Sequence, residues 1–196
     1  MEKTNYAKFT TLLAFLMLFP LFSEAQTRSL AKQQLQELKE NGIIIRFDTK
    51  EFVINGLENK GRLEEAQEVK IELAKLKSEI IESFKKYYTY SKVYICDSDE
   101  LTNGKAVKTV RDLDSNLVSL DTDAKKYYVL NPHRVYFEAF GDYHHGFGIV
   151  DINLKNIPKP FPYYVMKREG LFFLRIPFSA MVLKLQRKFV KFESRN

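Results

Sequence analysis

The chain has 196 residues, 45% of them apolar and 29% charged, which is enough for one domain with a real core and too apolar for a disordered chain. Its single cysteine, Cys96, excludes an intramolecular disulfide, and the lack of a Cys-x-x-Cys pair excludes thioredoxin-type redox chemistry. The net charge of +6 is uneven, because Lys155 to Asn196 carry ten Lys or Arg against Glu169 and Glu193, while residues 26 to 154 hold 19 basic and 21 acidic side chains.

Lys3 and Lys8 precede an apolar run from Leu12 to Phe22, and Ser23-Glu24-Ala25 follows it. A basic start, an apolar middle and a small-x-small end predict a cleavable secretory signal over residues 1–25. The run has 11 residues, whereas a membrane-crossing helix needs about 20, so no anchor is expected after cleavage. Residues 26–196 are then expected to form a single periplasmic or secreted α/β domain.

Beyond the leader, Leu30, Leu35 and Leu38 predict one face of a short helix that stops at Asn41-Gly42. Ile43 to Phe47 has four apolar residues in five, the mark of a strand buried on both faces. Helical pattern then fills Lys50 to Tyr88, with a break near Asn59-Lys60-Gly61. Its second part places Leu63, Ala66, Val69, Leu73, Leu76, Ile80, Phe84 and Tyr87 at spacings of three and four. Gly61 to Ala66 resembles the turn of a tetratricopeptide repeat, but it occurs once, which predicts a simple helical hairpin.

Lys92 to Cys96 reads as a second buried strand, completing a β-α-β crossover. Residues 98 to 125 read as a loop-rich excursion. Strands are predicted at Lys126–Leu130, Arg134–Phe140 and Gly148–Ile152, with a turn at Gly141–Gly146. Pro158, Pro160 and Pro162 predict an extended crossing, and a closing helix is expected from Ser179 as its N-cap. In that helix Val182, Leu185, Phe189 and Phe192 face inward, and Lys184, Arg187, Lys188 and Lys191 face out. The predicted class is α/β: a mixed β-sheet covered by helices, with an N-terminal β-α-β crossover containing a long helical hairpin, and a C-terminal helix.

Four groups of residues could carry chemistry. Asp97 and Asp99 end a buried strand, where α/β folds bind ligands. Cys96 has His133, His144 and His145 as candidate bases, although a free cysteine more often packs as a small hydrophobe. Asp142, His144, His145 and Asp151 offer zinc or copper ligands, but adjacent residues of an extended segment point to opposite sides, which favours a surface turn. Phe161, Tyr163 and Tyr164, with Phe172 and Phe173 after them, form an aromatic stretch beside the basic face of Lys184, Arg187, Lys188 and Lys191. Exposed, these groups would make a binding surface; buried, the rings would serve the core.

Val93 to Leu101 resembles the first motif of haloacid-dehalogenase-like phosphatases. The resemblance implies Asp97 as nucleophile, Asp99 as general acid, and a Mg²⁺ site completed by Asp142. The chain departs from that pattern at Leu101, where Thr or Val is expected, and at Tyr143 to Gly146, where a second Asp is expected. The helix before Gly42, the Lys60-Gly61-Arg62 hairpin and the Pro160 to Val165 segment together resemble a group of exported bacterial proteins with no known activity. The favoured expectation is a non-enzymatic binding or structural protein of the cell envelope that needs no cofactor. Its partner would be an envelope protein, a glycan or an anionic surface, and its location argues against nucleic acid.

Overall fold

The computed structural model describes residues 27–102, 107–121, 126–132, 134–137, 142–166 and 176–195, with the backbone alone described at 134–137 and 142–145. The leader, His133, Phe172 and Phe173 lie outside the described residues.

Helix α1 spans 27–41 and buries Ala31, Leu35 and Leu38. Leu30, expected on that stripe, is instead 46% exposed, because the stripe is centred on Ala31, about 100° around the helix. Gly42 ends the helix at φ +102°, and its N–H donates to the Leu38 carbonyl at 2.9 Å. A Cβ here would lie 2.8 Å from both the Lys92 oxygen and the Tyr94 ring, so glycine is required by conformation and by space.

Strand β1 (Ile43–Phe47) follows at once, and Ile43, Ile44 and Ile45 have no exposed surface. It lies between two parallel neighbours, β2 (Val93–Asp97) in the register Ile43↔Val93 and β5 (Tyr128–Asn131) in the register Ile43↔Tyr128. The hairpin of α2 (Glu51–Asn59) and α3 (Leu63–Tyr87) makes the crossover from β1 to β2. Residues 98 to 121, read as loop, contain the antiparallel pair β3 (Thr109–Asp112) and β4 (Leu117–Ser119), which extends the sheet beyond β2. These strands are short and largely exposed at β4, so their apolar alternation is too brief to stand out.

On the other side, β7 (Asp142–Asp151) pairs antiparallel with β5, β6 (Arg134–Phe137) and β8 (Tyr164–Met166). The sheet order is β4-β3-β2-β1-β5-β7-β6, with β8 also on β7. Asn131 faces Gly148 and Arg134 faces His145, so β5 and β6 run along the same edge of β7 in one register. The predicted Gly141–Gly146 turn is therefore corrected: residues 142 to 146 belong to β7, because pairing with β6 overrides the local Gly and His content.

The proline segment turns rather than crossing in extended form, with Tyr163 N–H donating to the Phe161 carbonyl at 2.9 Å. The Lys159–Pro160 peptide is cis. The last helix, α4, spans Phe178–Glu193 and starts after Pro177, without a side-chain cap from Ser179. Ser179 is the second residue of the helix, past the N-cap position that Pro177 occupies, so it is out of place to cap the helix.

Alternate residues of β1 serve two cores. Ile43, Ile45 and Phe47 join the larger one with α1, α3 and α4, through Leu38, Phe84 and Phe189 among others. Ile44 joins Tyr94, Cys96 and Val129 on the opposite face, where Leu101, Val107 and Leu120 close the core and no described helical residue takes part. Rings run through the helical core, with Phe147 5.8 Å from Phe84 and 6.1 Å from Phe178, and Phe161 stacked 5.9 Å from Tyr128. No helix among the described residues is long and apolar enough to cross a membrane.

The Tyr128 hydroxyl donates to Glu37 Oε2 at 2.7 Å, tying α1 to β5. Burial alone would raise the Glu37 pKa, but hydrogen bonds from Tyr128, Gln33 and Lys126 and the Lys126 charge carry it below its ordinary 4.5. A depressed carboxyl stabilises the fold at neutral pH, and that contribution is lost as pH falls below 4.5 through the folded value. Glu37→Gln is expected to lower stability by about 1 kcal/mol at neutral pH. In denaturant melts the gap to the parent protein should close in acid; a gap that stays constant on acidification would show that the Glu37 charge is not what holds α1.

Candidate functional site

The three parallel strands β2, β1 and β5 all end on one side of the sheet, with β1 flanked on both edges. The chain leaves β1 toward β2 and later returns to β1's other edge as β5, so strand direction and connection together open a crevice at these carboxyl ends. Helix α3 deepens it. Its 25 residues extend about 37 Å, whereas a five-residue strand covers about 17 Å. Ile80 and Phe84 pack on the sheet, and the first half of α3 pairs with α2, overhanging the strand ends.

Between the overhang and the strands lies a cavity of about 240 Å³. Phe47, Ile54, Leu73, Leu76 and Pro132 supply its apolar wall. Asp48, Thr49, Lys70, Lys77 and Asp97 supply its polar groups. Lys77 Nζ lies 2.6 Å from Asp97 Oδ1 and 5.4 Å from the centre of the Phe47 ring. Arg111 Nη1 stands 3.7 Å from Asp97 Oδ2, while its Nη2 reaches Glu100 at 3.1 Å. Lys70 pairs with Glu58 at 2.8 Å, joining α2 to α3 above the cavity.

Hydrogen bonds fix the rim. The Asp97 N–H donates to Glu100 Oε2 at 2.9 Å, and Arg46 donates to the Leu101 and Ser98 carbonyls at 2.8 and 3.1 Å. The Thr49 N–H donates to Ser98 Oγ at 3.1 Å, linking the exits of β1 and β2. The Asp97 to Glu100 turn is thus held by the Glu100 carboxylate from within and by Arg46 and Thr49 from the end of β1. Asp97 lines the cavity in an ion-pair network, and Asp99 is exposed on the turn. Asp142 lies in β7, where only the backbone is described. No group of three His, Cys, Asp or Glu side chains among the described residues could hold a metal ion.

Cys96 points into the second core and has no exposed surface. Burial first, then the nearby Glu100 charge, push its thiol up to about 12. His144 and His145 lie on β7, opposite Val135 and Arg134 of β6, rather than in the expected surface turn. Asp151 closes a tight turn, accepting from the Asn153 and Lys155 N–H groups at 3.0 and 2.7 Å.

The aromatic and basic stretch divides. Phe161 is 2% exposed and stacks on Tyr128, so this ring belongs to the core and not to a binding surface. Tyr163 and Tyr164 are half-buried, with ring centres 5.0 Å apart. Lys188 crosses from α4 to donate to the Tyr164 carbonyl at 2.6 Å, with its Nζ 4.1 Å from the ring centre. Burial first, then the Lys184 charge, lower its pKa. Lys184, Arg187 and Lys191 form an exposed outer ridge of α4, and no described carboxylate pairs with them.

Lys77, Lys70, Thr49 and Arg111 were not singled out by sequence reasoning. The readable signal was that Lys77 stands four residues after Leu73 and three before Ile80, on the inward stripe of α3. Compared with protein-family models, with curated proteins and with solved structures, the chain matches none.

The Cys96 environment gives a direct test. At about pH 8 the native protein should resist a thiol-alkylating reagent that modifies the unfolded chain fully. Rapid labelling of the native state would mean that this face of the sheet opens readily.

Proposed function

We propose that the chain is an exported, non-enzymatic binding protein of the cell envelope, and that the outer ridge of α4 meets an anionic surface. The observation that carries this reading is the row of Lys184, Arg187 and Lys191 along one exposed helix face, with which no described carboxylate pairs. The ridge belongs to the stretch from Lys155 to Asn196, which holds ten basic side chains against two acidic ones. Tyr163 and Tyr164 stand beside the ridge as half-buried amphipathic rings, and Lys188 is engaged in holding Tyr164 in place. The leader pattern and the resemblance to exported bacterial proteins support the location.

Sedimentation with phosphatidylglycerol-containing vesicles tests the reading. Binding is expected at low salt, loss at about 0.5 M salt, and no binding to neutral phosphatidylcholine vesicles. Changing Lys184, Arg187 and Lys191 together to Ala should weaken binding about a hundredfold, at ~1 kcal/mol per charge. Equal binding to neutral vesicles, or none to anionic ones, would overturn it.

One observation favours the Mg²⁺-dependent phosphatase alternative, the position of Asp97 at the carboxyl-end crevice. Against it stand the ion pairs that Asp97 makes with Lys77 and Arg111 and the exposed setting of Asp99. A phosphate-ester assay with and without Mg²⁺ should show no turnover. Mg²⁺-dependent turnover abolished by Asp97→Asn would establish the alternative.

A further inference from the structure

We infer that the crevice at the strands' carboxyl ends binds a small zwitterion carrying an apolar side group, of the size of an apolar amino acid. Size sets the first limit. A cavity of 240 Å³ equals roughly eight water volumes at ~30 Å³ each and falls below the ~300 Å³ at which drug-sized ligand sites begin.

Charge sets the second limit. Two lysines and two aspartates line the cavity, Lys70 and Lys77 against Asp48 and Asp97. The part-buried charges beside them balance too, Lys77 and Arg111 against Asp97 and Glu100, so a ligand with a net charge would upset that balance in a site partly removed from water. A zwitterion avoids that. Its carboxylate replaces Asp97 as the partner of Lys77, and its ammonium replaces Lys77 as the partner of Asp97.

The pair is built for such an exchange. The Lys77 and Asp97 side chains are 35% and 26% exposed, so a ligand can reach both. Each also keeps a second attraction when the pair opens, Lys77 over the Phe47 ring at 5.4 Å and Asp97 beside Arg111 at 3.7 Å. Ile54, Leu73 and Leu76 then receive the apolar side group. The cavity shares no lining residue with the α4 ridge, so this inference stands apart from the vesicle reading.

Titration calorimetry on the full mature protein tests it with L-leucine, leucinamide, which lacks the carboxylate, and 4-methylpentanoate, which lacks the ammonium. Leucine should bind saturably, and each analogue should bind at least about tenfold more weakly, the loss expected for one charge-assisted contact. Lys77→Met should weaken leucine about tenfold and narrow its advantage over leucinamide. Leu73→Trp, which fills the cavity, should abolish binding while far-UV circular dichroism stays native; if that variant unfolds, Lys77→Met alone decides. No saturable heat with leucine or phenylalanine up to about 10 mM would overturn the inference, as would analogues that bind equally or a Lys77→Met protein that binds as the parent does. Vesicle binding should be untouched by Lys77→Met, which separates failure here from failure of the ridge.

Discussion

Strand β1 must be paired on both edges and covered on both faces, and these demands place most of the molecule. Ile43, Ile44 and Ile45 have no exposed surface, and each such side chain contributes about 1.5–3 kcal/mol when removed from water. Burying the odd-numbered positions requires α1, α3 and α4; burying Ile44 requires the 101–120 segment. Pairing both edges in parallel requires two crossings of the sheet, one of them the helical hairpin. The crevice is a geometric result of these demands, because the helix that covers a 17 Å strand is about twice as long as the strand.

Much of this arrangement was legible where the sequence pattern is long or uninterrupted. The run Ile43 to Phe47 announced a doubly buried strand, and the spacing from Leu63 to Tyr87 announced α3, although Leu63 itself, expected inward, is exposed. Short elements were not legible. The three-residue strands β4 and β8 contain less than two full alternations, so only their partners β3 and β7 define them. At 142–146 the local signal pointed to a turn, yet every residue from 142 to 145 has a partner across β6. Sheet propensity is decided by such neighbours more than by the residue itself.

The site was legible in position and not in chemistry. Strand β2 ends at Asp97, and this acidic side chain lines the cavity at the carboxyl ends. What local sequence omits is the partner from elsewhere: Lys77 is 20 residues away, and Arg111 arrives on β3, an element the pattern did not reveal. Those two cations place Asp97 in an ion-pair network that the local sequence does not reveal. Phe161 makes the same point for the aromatic stretch, since its burial depends on Tyr128 and Phe189, both distant in the chain.

The two charged regions obey different physics. At the crevice, Lys77 and Asp97 interact at 2.6 Å in a partly desolvated setting, where mobile ions screen weakly and geometry decides which ligand fits. On α4, Lys184, Arg187 and Lys191 are exposed, and their field is damped over a Debye length of about 8 Å at physiological salt. On the proposed readings, the ridge would meet a broad anionic surface with little discrimination among its chemical forms, and the crevice would select a shape together with two opposite charges. One fold has room for both because β1, β2 and α3 fix the crevice, while α4, packed on the same face of the sheet, needs only its inward stripe of Val182, Leu185 and Phe189 and leaves its outer face unconstrained.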